Sequence, residues 1–183
     1  GLFKSLHSGG GQSGSHFSCR HRHIMHPADF IDDGLCGIFQ GKPVQPEGDL
    51  WGHTRMVLDH LPRHPSFCLA FAALLHDVGK PSTKAYHHGR RSFHNHEVVG
   101  RHIAEQICRR LRLSNAERER VCWLVEYHQY LGEAKKLREA KLKRLLSQPG
   151  IDDLLALHRA DAIASTGDTS HVDYCEYYLR NEP

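Results

Sequence analysis

The chain has 183 residues, a hydrophobic fraction of 39% and a formal charge of +3, which suits one compact domain with a small extension. No run approaches the ~20 apolar residues of a membrane-spanning helix, and so small a net charge does not by itself point to nucleic acid. The opening GLFKSLHSGGGQSGSHF lacks the apolar core and cleavage site of a secretory signal, which argues for a cytosolic protein.

Residues 1–45 are rich in Gly, Ser and His with little periodicity, and read as a flexible or appended segment outside the folded unit. From Pro46 the pattern changes to successive amphipathic helices. PEGDLWGHTRMVLDHLP begins after Asp49, a good N-cap, and stops at Pro62. PSFCLAFAALLHDVGK follows and ends at Gly79. The polar KPSTKAYHHGRRSF has HHGRR as a hairpin tip. HNHEVVGRHIAEQICRRLRL is a third helix, and Ser114 with Glu117 forms a capping box that opens a fourth. EAKKLREAKLKRLLSQPG reads as a single basic helix ended by Pro149-Gly150. IDDLLALHRADAIAST is the last, with acidic residues in its first turn as the helix dipole prefers.

The class is therefore all-α: a bundle of about six helices over residues 46–168 with a short irregular hairpin insertion, then a C-terminal tail over 169–183. The six cysteines are scattered without a C-x-x-C pair, which reads as free thiols in a reducing compartment.

Histidine is the outlier, with 17 in the chain. A helix buries residues three and four apart, so each can be tested for phase. His53 shares a stripe with Met56, Val57, His60 and Leu61. His96 leads Val99, Gly100, Ile103 and Ile107, whereas His102 falls between the rungs. His128 follows Val121, Leu124 and Val125, and His158 and Asp161 lie with Leu154 and Ala162. His76 and Asp77 close the most apolar helix of all. One histidine on an apolar face is ordinarily a satisfied core residue, and one Asp at a helix end is ordinarily a cap. Five helices each bringing such a residue to a buried face is another matter, because each unpaired group costs free energy on burial. A shared metal centre compensates all of them together.

The order His53, His76-Asp77, His96, His128, Asp161 resembles the H…HD…H…H…D series of the HD superfamily of metal-dependent phosphohydrolases. PEGDLWGHTRMVLDHL, AALLHDVGKP, FHNHEVVG, RRLRLSNAERERV and RADAIAS are similar to the HD domain of bacterial CCA-adding tRNA nucleotidyltransferases, over about Pro46 to Thr166. The match loosens between Gly132 and Ser147. No Gly-Ser followed by a D-x-D strand occurs, so the resemblance does not extend to nucleotide addition.

The resemblance implies two divalent ions, with Fe, Mn, Ni, Co and Zn all suited to such nitrogen and carboxylate ligands. One would take His53, His76, Asp77 and Asp161. The other would take His96 and His128, with Asp77 bridging. The chemistry implied is attack of a metal-activated water on phosphorus, the substrates being phosphomonoesters or 2′,3′-cyclic phosphates of nucleotides or RNA ends. Asp77 and Lys80 are the candidate catalytic residues. Lys80 would hold a phosphate oxygen or the water, against the plainer reading of a solvated lysine at a helix end. Arg90 and Arg91 are candidate phosphate contacts, against that of a charged hairpin tip. His158 and His60 are candidates to support the ligands, and His87, His88 and His94 are weaker ones.

The basic helix with Lys135, Lys136, Arg138, Lys141, Lys143 and Arg144 reads as a solvated face rather than an RNA track, since no aromatic residues interleave with it. Two other functions use the same residues: a non-catalytic module that binds RNA or a partner protein, and a di-iron oxygenase.

Overall fold

The structure, a computed structural model, describes residues 49–88 and 90–181, and for His87, Arg90 and Arg91 the backbone alone. The segment 1–45, with Cys19 and Cys36, lies outside the described residues. Eight α-helices are present among these: α1 Leu50–Asp59, α2 Phe67–Leu75, α3 Lys80–Thr83, α4 His96–Arg110, α5 Asn115–Tyr127, α6 Glu139–Leu146, α7 Ile151–Ser165 and α8 Ser170–Asn181. A two-stranded antiparallel hairpin, β1 Ala85–His87 and β2 Arg90–Ser92, joins α3 to α4, with Ala85 opposite Ser92. This is the all-α bundle with a short hairpin expected from the pattern. No helix among the described residues is long and apolar enough to cross a membrane.

Capping fixes where the helices start. The Asp49 carboxylate accepts from the Gly52 N–H at 2.7 Å, and the Ser66 hydroxyl from that of Leu69 at 3.1 Å. The capping box is complete. Ser114 Oγ accepts from the Glu117 N–H at 3.3 Å, while Glu117 Oε2 accepts from the Ser114 N–H at 2.9 Å. Helix α2 is apolar nearly all round because it lies at the centre, packed on α1, α5 and α7. Helix α4 lies along α5, and α1 along α7. Leu69, Ala72, Leu75, Leu124, Val125, Leu154 and Leu157 form the core between them.

One close approach governs the site. A Cβ on Gly79 would come within 2.0 Å of the His96 carbonyl oxygen and 2.6 Å of the Gly100 nitrogen. Glycine at 79 thus lets the turn after α2 lie directly against the first turn of α4, bringing Asp77 to His96.

The single basic helix expected over residues 133–150 is not what forms. Tyr130–Lys136 is a 3-10 segment, Leu137 and Arg138 are extended, and α6 begins at Glu139. The break lets two apolar sets, Leu131 with Ala134 and Leu142 with Leu145 and Leu146, both reach the core. Residues 170–181, within the expected tail, form α8. It packs on the 3-10 segment and buries Val172 and Cys175, and Arg159 pairs with its Asp173 and Glu176, each at 2.9 Å. Cys68, Cys108, Cys122 and Cys175 are free thiols.

Candidate metal centre

Four histidines and two aspartates from five helices and their ends meet in the middle of the bundle. His53 comes from α1, His76 and Asp77 from the turn closing α2, His96 from the first position of α4, His128 from the residue after α5, and Asp161 from α7. Their ligand atoms form two trios, His53 with His76 and Asp161, and Asp77 with His96 and His128, each within 4.8 Å. Asp77 ties them together. Its Oδ2 lies 3.2 Å from His76 Nε2 and 3.6 Å from His53 Nε2. Its Oδ1 lies 3.4 Å from His96 Nε2 and 3.7 Å from His128 Nε2.

In three of the four rings the second nitrogen shows what the first is for; Nδ1 of His53 is buried without a hydrogen-bond partner. Nδ1 of His76 donates to the Ala73 carbonyl at 2.7 Å, that of His96 to Phe93 at 2.8 Å and that of His128 to Val125 at 2.7 Å. A carbonyl only accepts, so Nδ1 carries the proton, and in the neutral ring Nε2 offers its lone pair to the centre. This is the outer support that metal-ligating histidines show. Nε2 of His96 and His128 is buried and has no hydrogen-bond partner, a costly arrangement for a polar atom unless a cation completes it. The six residues therefore fit divalent ions, and the nitrogen–carboxylate mixture fits transition metals.

Charge reinforces this. Burial opposes ionisation of Asp77, yet His76 and Lys80 hold its carboxyl well below the usual carboxylate range. Burial likewise opposes the charge on Asp161, but the His53 hydrogen bond and nearby imidazoles hold its carboxyl low. Burial disfavours a charged His76, but the Asp77 carboxylate, by charge and by hydrogen bond, lifts that ring above its ordinary value. Burial and the neighbouring His76 push His128 down to about 3. The centre thus pairs two carboxylates with imidazoles that include at least one firmly neutral ring.

Lys80 is no solvated helix-end lysine. It opens α3, is buried, and its ammonium donates to Asp77 Oδ2 at 2.6 Å. Beside it opens a cleft of about 410 Å³ lined by Lys80, Phe93, the run His94 to Glu97, and Gln129. Phe93, Asn95 and Gln129 were not legible as site residues. Asn95 and Gln129 flank the ligands His96 and His128, and that adjacency was the available signal.

His158 donates from Nδ1 to the His128 carbonyl at 2.7 Å, so it braces the backbone that presents His128. His60 does not approach the centre. Helix α1 ends at Asp59, the phase of the stripe is lost, and His60 is exposed with Nδ1 on its own Met56 carbonyl at 2.7 Å. His94 lines the cleft, and His88 is exposed in the hairpin turn. The side chains of Arg90, Arg91 and His87 lie outside the described residues.

The sequence model of the HD domain matches residues 51–166. An A-adding tRNA nucleotidyltransferase of Deinococcus radiodurans is 34% identical over 151 residues, 80% of this chain and 30% of that protein. A multifunctional CCA protein of Laribacter hongkongensis is 34% identical over 143 residues, 74% of this chain and 35% of that protein. One of Herminiimonas arsenicoxydans is 32% identical over 121 residues, 63% and 28% of the two chains. The matches thus span about a third of the length of these curated relatives.

Proposed function

The chain belongs to the HD domain family, and from that premise we propose that it is a metal-dependent phosphohydrolase acting on phosphomonoesters or 2′,3′-cyclic phosphates of nucleotides or RNA ends. The observation that carries this reading is Asp77, one buried carboxylate whose two oxygens face separate sets of imidazoles while Lys80 sits on it from the cleft side. Bound divalent ions would supply the charge that acidifies a water and offsets the negative charge developing on phosphorus.

The chain's own groups set up the rest. His53, His76 and Asp161 would hold one ion and His96 with His128 the other, Asp77 reaching both. The backbone carbonyls of Ala73, Phe93 and Val125 fix the three donating rings, so their lone pairs need no reorientation. Lys80 spends one N–H on Asp77 and lines the cleft, where an ammonium can meet a phosphate oxygen. Phe93, with Lys80 Nζ 5.8 Å from its ring centroid, walls that cleft on one side. The tRNA-directed name of the Deinococcus radiodurans relative supports a substrate drawn from RNA ends, and the free thiols suit a cytosolic, reducing setting.

The test is turnover. Protein loaded without oxygen with Mn, Fe, Ni, Co or Zn in turn is offered nucleoside 2′-, 3′- and 5′-monophosphates and 2′,3′-cyclic nucleotides. Release of phosphate or opening of the cyclic ester is expected with at least one ion. No turnover of any substrate with any ion overturns the reading, and oxygen consumption by the reduced iron form without phosphate release would replace it with an oxygenase.

A further inference from the structure

Along α5 and just past its C-terminus, three aromatic rings form a ladder that the metal centre does not use. Trp123 and Tyr127, one turn apart, stack with centroids 5.6 Å apart and planes at 28°. Tyr130 meets Tyr127 edge-on at 5.7 Å. With Lys141, Arg144 and Gln148 across from them, these rings line a groove of about 250 Å³ between α5 and α6.

The cations along this stretch fall into two groups. Lys136 pairs with Glu133 at 2.8 Å, and Lys143 with Glu139 at 3.2 Å, so these behave as an ordinary solvated face. Lys141 and Arg144, the two that line the groove, meet no carboxylate among the described residues. Lys141 Nζ instead stands 5.3 Å from the Tyr130 ring centroid. At the far end the Arg120 guanidinium stands over Trp123 at 5.2 Å, held by the Pro149 carbonyl at 2.6 Å and by Asp153 at 3.3 Å.

This combination selects its ligand. A cationic ligand would meet rings already facing cations of the protein. A purely apolar segment would leave two unpaired charges beside it. A ligand with a flat π-face and anionic linkages satisfies both the rings and the charges. We infer that this groove binds unpaired RNA, a base stacking at Tyr130 and its phosphates meeting Lys141 and Arg144. The basic stretch alone lacked aromatic partners in sequence. The fold supplies them from α5 and from the first residue of the 3-10 segment.

The placement gives the groove a purpose. Gln129 lines the cleft at the metal centre and Tyr130 lines the groove, on consecutive residues. A strand held in the groove thus has its end near the cleft. The inference extends the hydrolase reading to RNA, but its test does not depend on turnover.

The probe is a fluorescein-labelled oligoribonucleotide of about ten unpaired residues, the site size of a stacking platform, blocked at its 3′ end so that hydrolysis cannot consume it. Binding to the full chain is read by anisotropy. Tyr130→Ala is expected to weaken it about tenfold and Tyr130→Phe, which keeps the ring, to restore it. The surface double variant Lys141→Ala with Arg144→Ala is expected to flatten the slope of log affinity against log salt by about 1.4. Lys136→Ala with Lys143→Ala should leave affinity within about twofold, as expected of paired surface charges. In Trp51→Phe, Trp123 is the one remaining tryptophan, and its emission should change on binding. No binding overturns the inference. So does equal loss from the paired lysines, which would mean diffuse charge, or equal affinity for a duplex with Trp123 emission unmoved. Failure of the hydrolysis panel with this pattern intact would remove the catalytic reading and leave the RNA groove standing.

Discussion

The two trios of ligand atoms are held in different ways. His53, His76 and Asp161 touch one another. His53 Nε2 lies 3.1 Å from Asp161 Oδ1 and 3.2 Å from His76 Nε2, and the three come from α1, α2 and α7, helices that pack directly together. His96 and His128 have no such mutual bonds. Their Nε2 atoms are no closer than 3.4 and 3.7 Å to Asp77, and His96 borders the open cleft. The first trio is held by its own mutual contacts, whereas the second, although buried, reaches the cleft through His96. Asp77 belongs to the second and turns its Oδ2 to the first, which makes it the residue on which the division can be tested.

The largest effect is expected from Asp77→Ala, which empties both trios at once. Hydrolysis should fall about 10³-fold or more, as expected when an electrostatic centre is removed, and the phosphate-release assay reads it. If activity instead survives within tenfold, Asp77 does not bridge anything and the comparison collapses. Lys80→Ala removes a cation from the cleft lining and from Asp77 Oδ2, while leaving all six ligand side chains in place. It should lower turnover about 10²-fold while elemental analysis shows metal retained. Loss of metal together with activity would make Lys80 a structural counter-charge rather than a substrate contact.

Gly79→Ala separates the trios through the backbone. Its Cβ must push on the His96 carbonyl, so stability should fall by about 1–3 kcal/mol, the usual cost of overpacking. Metal loss should be confined to the His96–His128 side, with denaturant titration and metal content as the paired readouts. The smallest change is Ser114→Ala. It removes the capping box at the start of α5, far along the helix from His128. A loss of about 1 kcal/mol is expected, seen as a lower thermal midpoint, with metal content and turnover unchanged.

These expectations rest on features that sequence exposed unevenly. The phase of apolar residues was enough to place His53, His96, His128 and Asp161 on inward faces, because each sits in or directly after a regular helix. The same reasoning misplaced His60, since phase means nothing once α1 has ended at Asp59. It also fused the 3-10 segment and α6, because no Gly or Pro marks the break at Leu137-Arg138 and long-range packing of Leu131 and Leu142 decides it. Lys80 was ambiguous for a related reason: its burial against Asp77 depends on the turn at Gly79, whose need for glycine lies in α4 rather than nearby in the chain. The aromatic groove was half visible. Trp123 and Tyr127 are one turn apart and share a face, but Tyr130 and Lys141 meet only through the fold.

The central claim, one carboxylate joining two separate ion sites, is tested most directly by counting metal in the purified 183-residue chain carrying no affinity tag, beside Asp77→Ala, His53→Ala and His128→Ala. The account predicts about two ions per chain in the parent, about one in each histidine variant and almost none in Asp77→Ala, because the sites share that ligand. Metal content indifferent to all three substitutions would contradict it, and would return the buried histidines to the role of core residues.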